Sequence, residues 1–83
     1  MTINVTQEHI QQGKRFDRRH CPVAVAIRDV TDRDVMIYMG WIHFQLSIGW
    51  HSHQTHPDMV EIIYHYDVTG EMKPFAFDLE IEK

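Results

Sequence analysis

His51, His53 and His56 stand in the spacing H-x-H-x-x-H, immediately ahead of Pro57. On an extended segment, residues i and i+2 point to one side, so two such imidazoles can share a metal ion, and a third from a helix cap would complete three nitrogen ligands. His43 or His65 would be the natural addition. Ligating histidines usually have a carboxylate behind them, and only Asp58 is near in sequence. The expectation is therefore a polar loop and no structural metal site in the fold. Metal binding through His51, His53 and His56 is the rival reading.

Cys21, the single cysteine, follows His20 and opens a helical segment. There the helix N-terminus, with Arg18 and Arg19 nearby, would lower a thiol pKa and make it reactive. A small buried residue capping a helix explains the same position equally well. Neither an asparagine nor an aspartate can be assigned to assist it, Ser47 and Ser52 lack a nucleophile elbow, and the glycines are isolated rather than gathered in a phosphate loop. Asp78, Glu80 and Glu82 alternate along one strand face. Such carboxylates can hold a metal or act as an acid–base pair. More simply they are the wet side of an edge strand, where charge discourages aggregation. No set of residues converges on catalysis, so the chain is read as a non-enzyme without a cofactor.

The binding candidates come from charge and aromatic placement. Lys14, Arg15, Arg18, Arg19 and His20 crowd one stretch, relieved by Asp17. From Asp58 onward seven carboxylates face only Lys73 and Lys83. That asymmetry is either ordinary solvated surface or a bipolar field that steers a partner. Trp41, His43 and Trp50 fall on the polar side of the central strands, and Tyr64 and Val60 lie off the inward stripe of the last helix. Aromatic and arginine side chains are enriched where proteins bind one another. The expected binding residues are thus Arg15, Arg18, Arg19, Trp41, His43, Trp50 and Tyr64, facing a protein partner. A homodimer is the simplest alternative if both sides of the last helix are covered.

These residues need elements to position them. Ile3 and Val5 alternate with polar neighbours as a short strand. Thr6 has N-cap chemistry, Glu8 suits a first turn, and Gly13 suits a left-handed stop for a short helix attached through Ile10. Pro22 at a first helical position, with Val23, Ile27 and Val30 at i, i+4 and i+7, predicts a helix, and Ala24 and Ala26 would permit close approach to a sheet. Val35 to Met39 and Trp41 to Ile48 read as strands broken at Gly40, with Ile42, Phe44, Leu46 and Ile48 on one face. Gly49-Trp50 predicts a turn or bulge into a short returning strand. Thr55 or His56 caps the strongest helix, Pro57 to Gly70, with Met59, Ile62, Ile63 and Tyr66 inward. Pro74 opens a last strand through Phe75, Phe77, Leu79 and Ile81. The expected core is Ile27, Ile42, Phe44, Leu46, Ile62, Ile63, Tyr66, Phe75, Phe77 and Leu79. Helices and strands are interspersed without a βαβ repeat, which predicts α+β: a mainly antiparallel sheet of three to five strands against two or three helices.

Eighty-three residues suit one domain over 1–83, which by size scaling buries about 64% of its unfolded surface. Hydrophobic residues are 43% and aromatic residues 11%, a globular rather than disordered composition. No apolar run reaches membrane-spanning length and no leader pattern opens the chain, so no membrane contact is expected. One cysteine fits a reducing cytoplasm. A net charge of −4 argues against direct nucleic-acid binding.

The opening Val5-Thr6-Gln7-Glu8-His9-Ile10 with Gly13, then Cys21-Pro22-Val23-Ala24-Val25-Ala26, resembles a family of small uncharacterised proteins encoded by bacteriophages and prophages, with its T-x-E-H-I-x-x-G and C-P-[VI]-A-x-A motifs. Lys73-Pro74-Phe75-Ala76-Phe77-Asp78-Leu79 is similar to that family's E-P-F-x-F-x-L ending, and Pro57 through Gly70 matches its amphipathic helix. The stretch from Asp29 to His56 departs from it. The resemblance implies a viral protein with a compact fold acting in the host cytoplasm, and no catalytic residue or ligand. The expected function is a phage-encoded accessory protein that binds a host or phage macromolecule in host takeover. The alternatives are the metal-binding protein above and an acidic nucleic-acid mimic that inhibits bacterial defence, in the manner of an anti-CRISPR protein.

Overall fold

The computed structural model describes residues 1–38, 40–46 and 49–79. Among them the chain forms β1 (Thr2–Val5), α1 (Gln7–Gln12), α2 (Pro22–Thr31), β2 (Val35–Tyr38), β3 (Trp41–Leu46), β4 (Gly49–Gln54), α3 (Pro57–Thr69) and β5 (Phe75–Asp78). The class is α+β. Every strand pairing is antiparallel, but the strands divide into two sheets, β1-β5 and β2-β3-β4. The first and last strands pair in the first sheet, where Ile3 lies opposite Phe77 and Val5 opposite Phe75.

Local chemistry accounts for the helix boundaries. The Thr6 hydroxyl accepts the His9 N–H at 3.3 Å, and the His9 ring accepts the Thr6 N–H at 3.0 Å, a reciprocal cap at the start of α1. Gly13 does not take the left-handed conformation expected of it: its φ is −68°. Its requirement is space, since a Cβ there would sit 2.6 Å from the Pro22 ring. Gly70 does end α3 left-handed, at φ 78°, with its N–H bonded to the Tyr66 carbonyl. His56 caps α3, its ring accepting the Asp58 N–H at 3.2 Å.

The core lies between the two sheets and α2, which packs on β1, β2 and α1. Ile3, Val23, Ala24, Ala26, Ile27, Val35 and Phe44 are fully enclosed. The two alanines bring α2 close to its neighbours, as their size allows. Val30 departs from the expected stripe and is 50% exposed; Val23, Ala24, Ala26 and Ile27 form the buried one. Of the expected core, Ile27, Ile42, Phe44, Tyr66 and Leu79 are buried, while Leu46, Ile63, Phe75 and Phe77 are half-buried against it. Ile62 is also half-buried. Ile81 and Ile48 lie outside the described residues.

Alternation gives the three-stranded sheet two unlike faces. Val35, Ile37, Ile42 and Phe44 point inward, and His51 and His53, paired with Phe44 and Ile42, share that side. Met36, Tyr38, Trp41, His43, Gln45, Trp50, Ser52 and Gln54 take the other side. The outer edge of β2 is occupied: the Ile37 N–H donates to the Arg18 carbonyl at 2.8 Å, and Arg28 Nη2 donates to the Val35 carbonyl at 3.2 Å.

Candidate binding cleft

The basic stretch is a scaffold before it is a charge patch. Arg15 donates from Nε to the Asp67 carbonyl at 2.9 Å and from Nη2 to the Val68 carbonyl at 2.7 Å, two acceptors that the last turn of α3 leaves open. Arg19 pairs with Asp34 at 3.0 Å, and His20 with Asp17 at 3.0 Å. The hydrogen bond from His20 holds the Asp17 carboxyl below its ordinary range. Arg18 lies over the Tyr38 ring, 4.2 Å from the centroid. Arg15 and Arg19 thus fasten the 13–21 segment to α3 and to the β2 end of the sheet, and Arg18 reaches the surface between them.

The fastening presents Phe16. Its φ is +57°, a left-handed conformation that a bulky side chain adopts only under constraint. The Asp67 carboxylate supplies that constraint by accepting the Phe16 N–H at 2.9 Å. The ring is left 72% exposed. Across from it, Val60, Ile63, Tyr64 and Asp67 lie at i, i+3, i+4 and i+7 on one side of α3. Together with Tyr38 and Arg18 they bound a cleft of about 330 Å³ floored by Ile37 and Cys21. Phe16, Tyr38, Val60 and Tyr64 are all exposed large apolar residues on this one cleft. Such convergence is what marks an interaction site on a small protein surface.

The expected binding residues therefore separate. Arg18 and Tyr64 meet in the cleft. Trp41 lies directly across the strand pair from Tyr38 and is 42% exposed. His43 and Trp50 lie further along that outward face, with the His43 ring 2.7 Å from the Ser52 hydroxyl. Phe16 was not legible as a binding residue, because its exposure comes from a backbone conformation and not from any periodic pattern.

Cys21 is 2% exposed. The helix terminus does pull the thiol down, through the Ala24 and Val23 N–H groups, but the net lowering expected with Arg18 and Arg19 is outweighed. Burial dominates, and the thiol is pushed up to about 11. Its buried sulfur forms part of the cleft's floor.

A second cleft, of about 750 Å³, lies between α3 and the approach to β5. Asp58, Glu61, His65 and Glu71 rim it, around half-buried Ile62 and Phe75. None of the exposed large apolar residues lines it. Of the carboxylates expected on β5, Asp78 accepts the Thr2 hydroxyl at 3.0 Å, and Glu80 and Glu82 lie outside the described residues.

One arrangement has the form of a hydrolase triad. Thr6 Oγ1 is 3.1 Å from His9 Nδ1, and His9 Nε2 is 2.9 Å from Asp29 Oδ2. The Thr6 N–H can only donate, so Nδ1 is an acceptor already engaged, and Nε2 carries the proton shared with Asp29. A base whose lone pair is filled by a backbone donor cannot take the hydroxyl proton. The group caps α1 and ties it to α2. Among the described residues of one chain, no three histidine, cysteine or carboxylate side chains converge on a metal position, and no helix is long and apolar enough to cross a membrane. Comparison with protein-family models, with curated proteins and with solved structures gave no match, so the functional reading rests on this geometry.

Proposed function

We propose that the chain is a small non-enzymatic binding protein that grips a protein partner through the cleft of Phe16, Tyr38, Val60 and Tyr64. The observation that carries this reading is the convergence of those four exposed side chains on one cleft. A rigid aromatic surface with one arginine at its rim is the chemistry of interface hot spots, where truncating a single residue costs about 2 kcal/mol or more. The bacteriophage-like opening and closing segments support a viral accessory protein working in the cytoplasm of the infected host cell.

Affinity capture from infected lysate on the immobilised chain tests the reading. The expected result is a retained protein that is released when Tyr64 is replaced by alanine. Retention of no macromolecule, together with turnover of a small molecule, would overturn it.

A further inference from the structure

We propose that β4 is a self-pairing edge: two copies of this chain join their β4 strands in antiparallel register about Ser52, and His51 and His53 of each copy together hold one zinc-class metal ion. β4 lies at the end of the sheet order β2-β3-β4. The Thr55 N–H donates to the Gly40 carbonyl at 2.8 Å, which places the backbone groups of odd-numbered residues on the β3 side. By the alternation of an antiparallel ladder, Trp50, Ser52 and Gln54 turn their N–H and C=O groups to the free edge. Among the described residues, no backbone hydrogen bond reaches that edge from outside the sheet. The opposite edge, at β2, is covered by Arg18 and Arg28.

Edge strands are ordinarily blunted by lysine, proline, inward charge or a bulge. Gly49-Trp50-His51-Ser52-His53-Gln54 has no proline and no acidic, lysine or arginine side chain. A second copy therefore meets no like-charged carboxylates or ammoniums across a twofold axis. The register follows from the outward groups. Centred on Ser52, Trp50 pairs with Gln54 of the second copy, and all three outward-facing residues are bonded. Centred on His51, Gln54 is left without a partner inside the strand. The Ser52 register sets His51 opposite His53 of the second copy in non-hydrogen-bonded pairs, whose Cα atoms approach to about 4.5 Å. Along each strand the two histidines are about 6.8 Å apart. Both are half-buried on the core side, and the Phe44 ring fixes that of His51 at a centroid distance of 5.1 Å. Four imidazoles in such a rectangle fit a tetrahedral ion with nitrogen ligands. Among the described residues, one chain alone does not bring such a set together. His56 stays outside it, exposed and engaged as the cap of α3.

Sedimentation of the untagged chain with zinc chloride, and again with chelator, tests the proposal. The expected result is a dimer carrying one zinc per two chains, with self-association at least tenfold weaker in chelator. His51→Gln with His53→Gln should abolish the zinc response, and His56→Gln should leave it intact. Ser52→Pro, which keeps every histidine but removes an outward N–H, should prevent dimerisation, with circular dichroism confirming the fold of each variant. A wild-type chain that stays monomeric with zinc would overturn the proposal. So would a dimer undiminished in the double histidine variant or in Ser52→Pro, or a zinc response lost equally in His56→Gln, the mark of adventitious binding.

Discussion

Arg18 holds Tyr38 from two directions: its guanidinium lies 4.2 Å from the ring centroid, and its carbonyl accepts the N–H of the adjoining Ile37 at 2.8 Å. One residue thus closes the edge of β2 and sets the wall of the aromatic cleft. The backbone bond survives any side-chain change, so the two contributions can be separated.

Arg18→Ala should lower stability by about 0.5–1 kcal/mol, the size of a solvent-facing cation–π contact. Arg18→Pro at the same position disturbs the backbone that delivers the carbonyl and should cost more. Urea melts of the two variants check the order.

Phe44→Ala should cost about 3–5 kcal/mol, a large share of the stability of a domain this size. Phe77→Ala should cost less than Phe44→Ala, because Phe77 is half-buried beside Phe75 at the sheet margin while Phe44 is fully enclosed. Equal losses in thermal melts would mean that β1-β5 carries more of the core than its burial indicates.

Removing the His9 ring orphans a backbone donor and one tie between helices. His9→Ala should destabilise by about 1–2 kcal/mol, as caps do. Asp29→Ala should cost well under 1 kcal/mol, roughly the worth of an exposed pair, since the carboxylate is 66% exposed. Chemical denaturation of both variants distinguishes a cap from a salt bridge.

The alkaline limb of stability has a defined direction. Burial raises the Cys21 thiol from 9.0 to about 11, and it also raises the Tyr66 hydroxyl. A folded-state pKa above the unfolded one gives a contribution fully present below the lower value and lost as pH climbs through the higher. Stability should hold up to pH 9 and fall from there toward 11. Cys21→Ala should remove part of that fall and leave the Tyr66 share. Alkylation of Cys21 at pH 8 should be slow until the chain is unfolded.

How far the sequence could be read follows from these residues. Thr6, Pro22, Pro57 and Gly70 act through local backbone chemistry, so the helix limits were legible. The alternation of Ile42 and Phe44 with Trp41 and His43 likewise separated the inner from the outer face. What escaped depends on contacts distant along the chain. Gly13 is small because Pro22 crowds it, Phe16 is strained because Asp67 binds its N–H, and the Cys21 thiol is raised because burial strips it of water. Arg18 and Tyr64 were legible as binding residues, but their meeting in one cleft required the path of α3.

The most direct measurement compares exposed apolar residues on and off the cleft. Phe16→Ser with Tyr64→Ser removes two of its walls, while Val30→Ser with Val68→Ser removes exposed apolar surface elsewhere. All four positions are about half exposed or more, so both double variants should melt close to the wild type. Quantified capture of the retained partner should fall at least tenfold for the cleft variant and stay unchanged for the control. Equal retention by the two double variants, with both folded, would contradict the assignment of the cleft as the binding site.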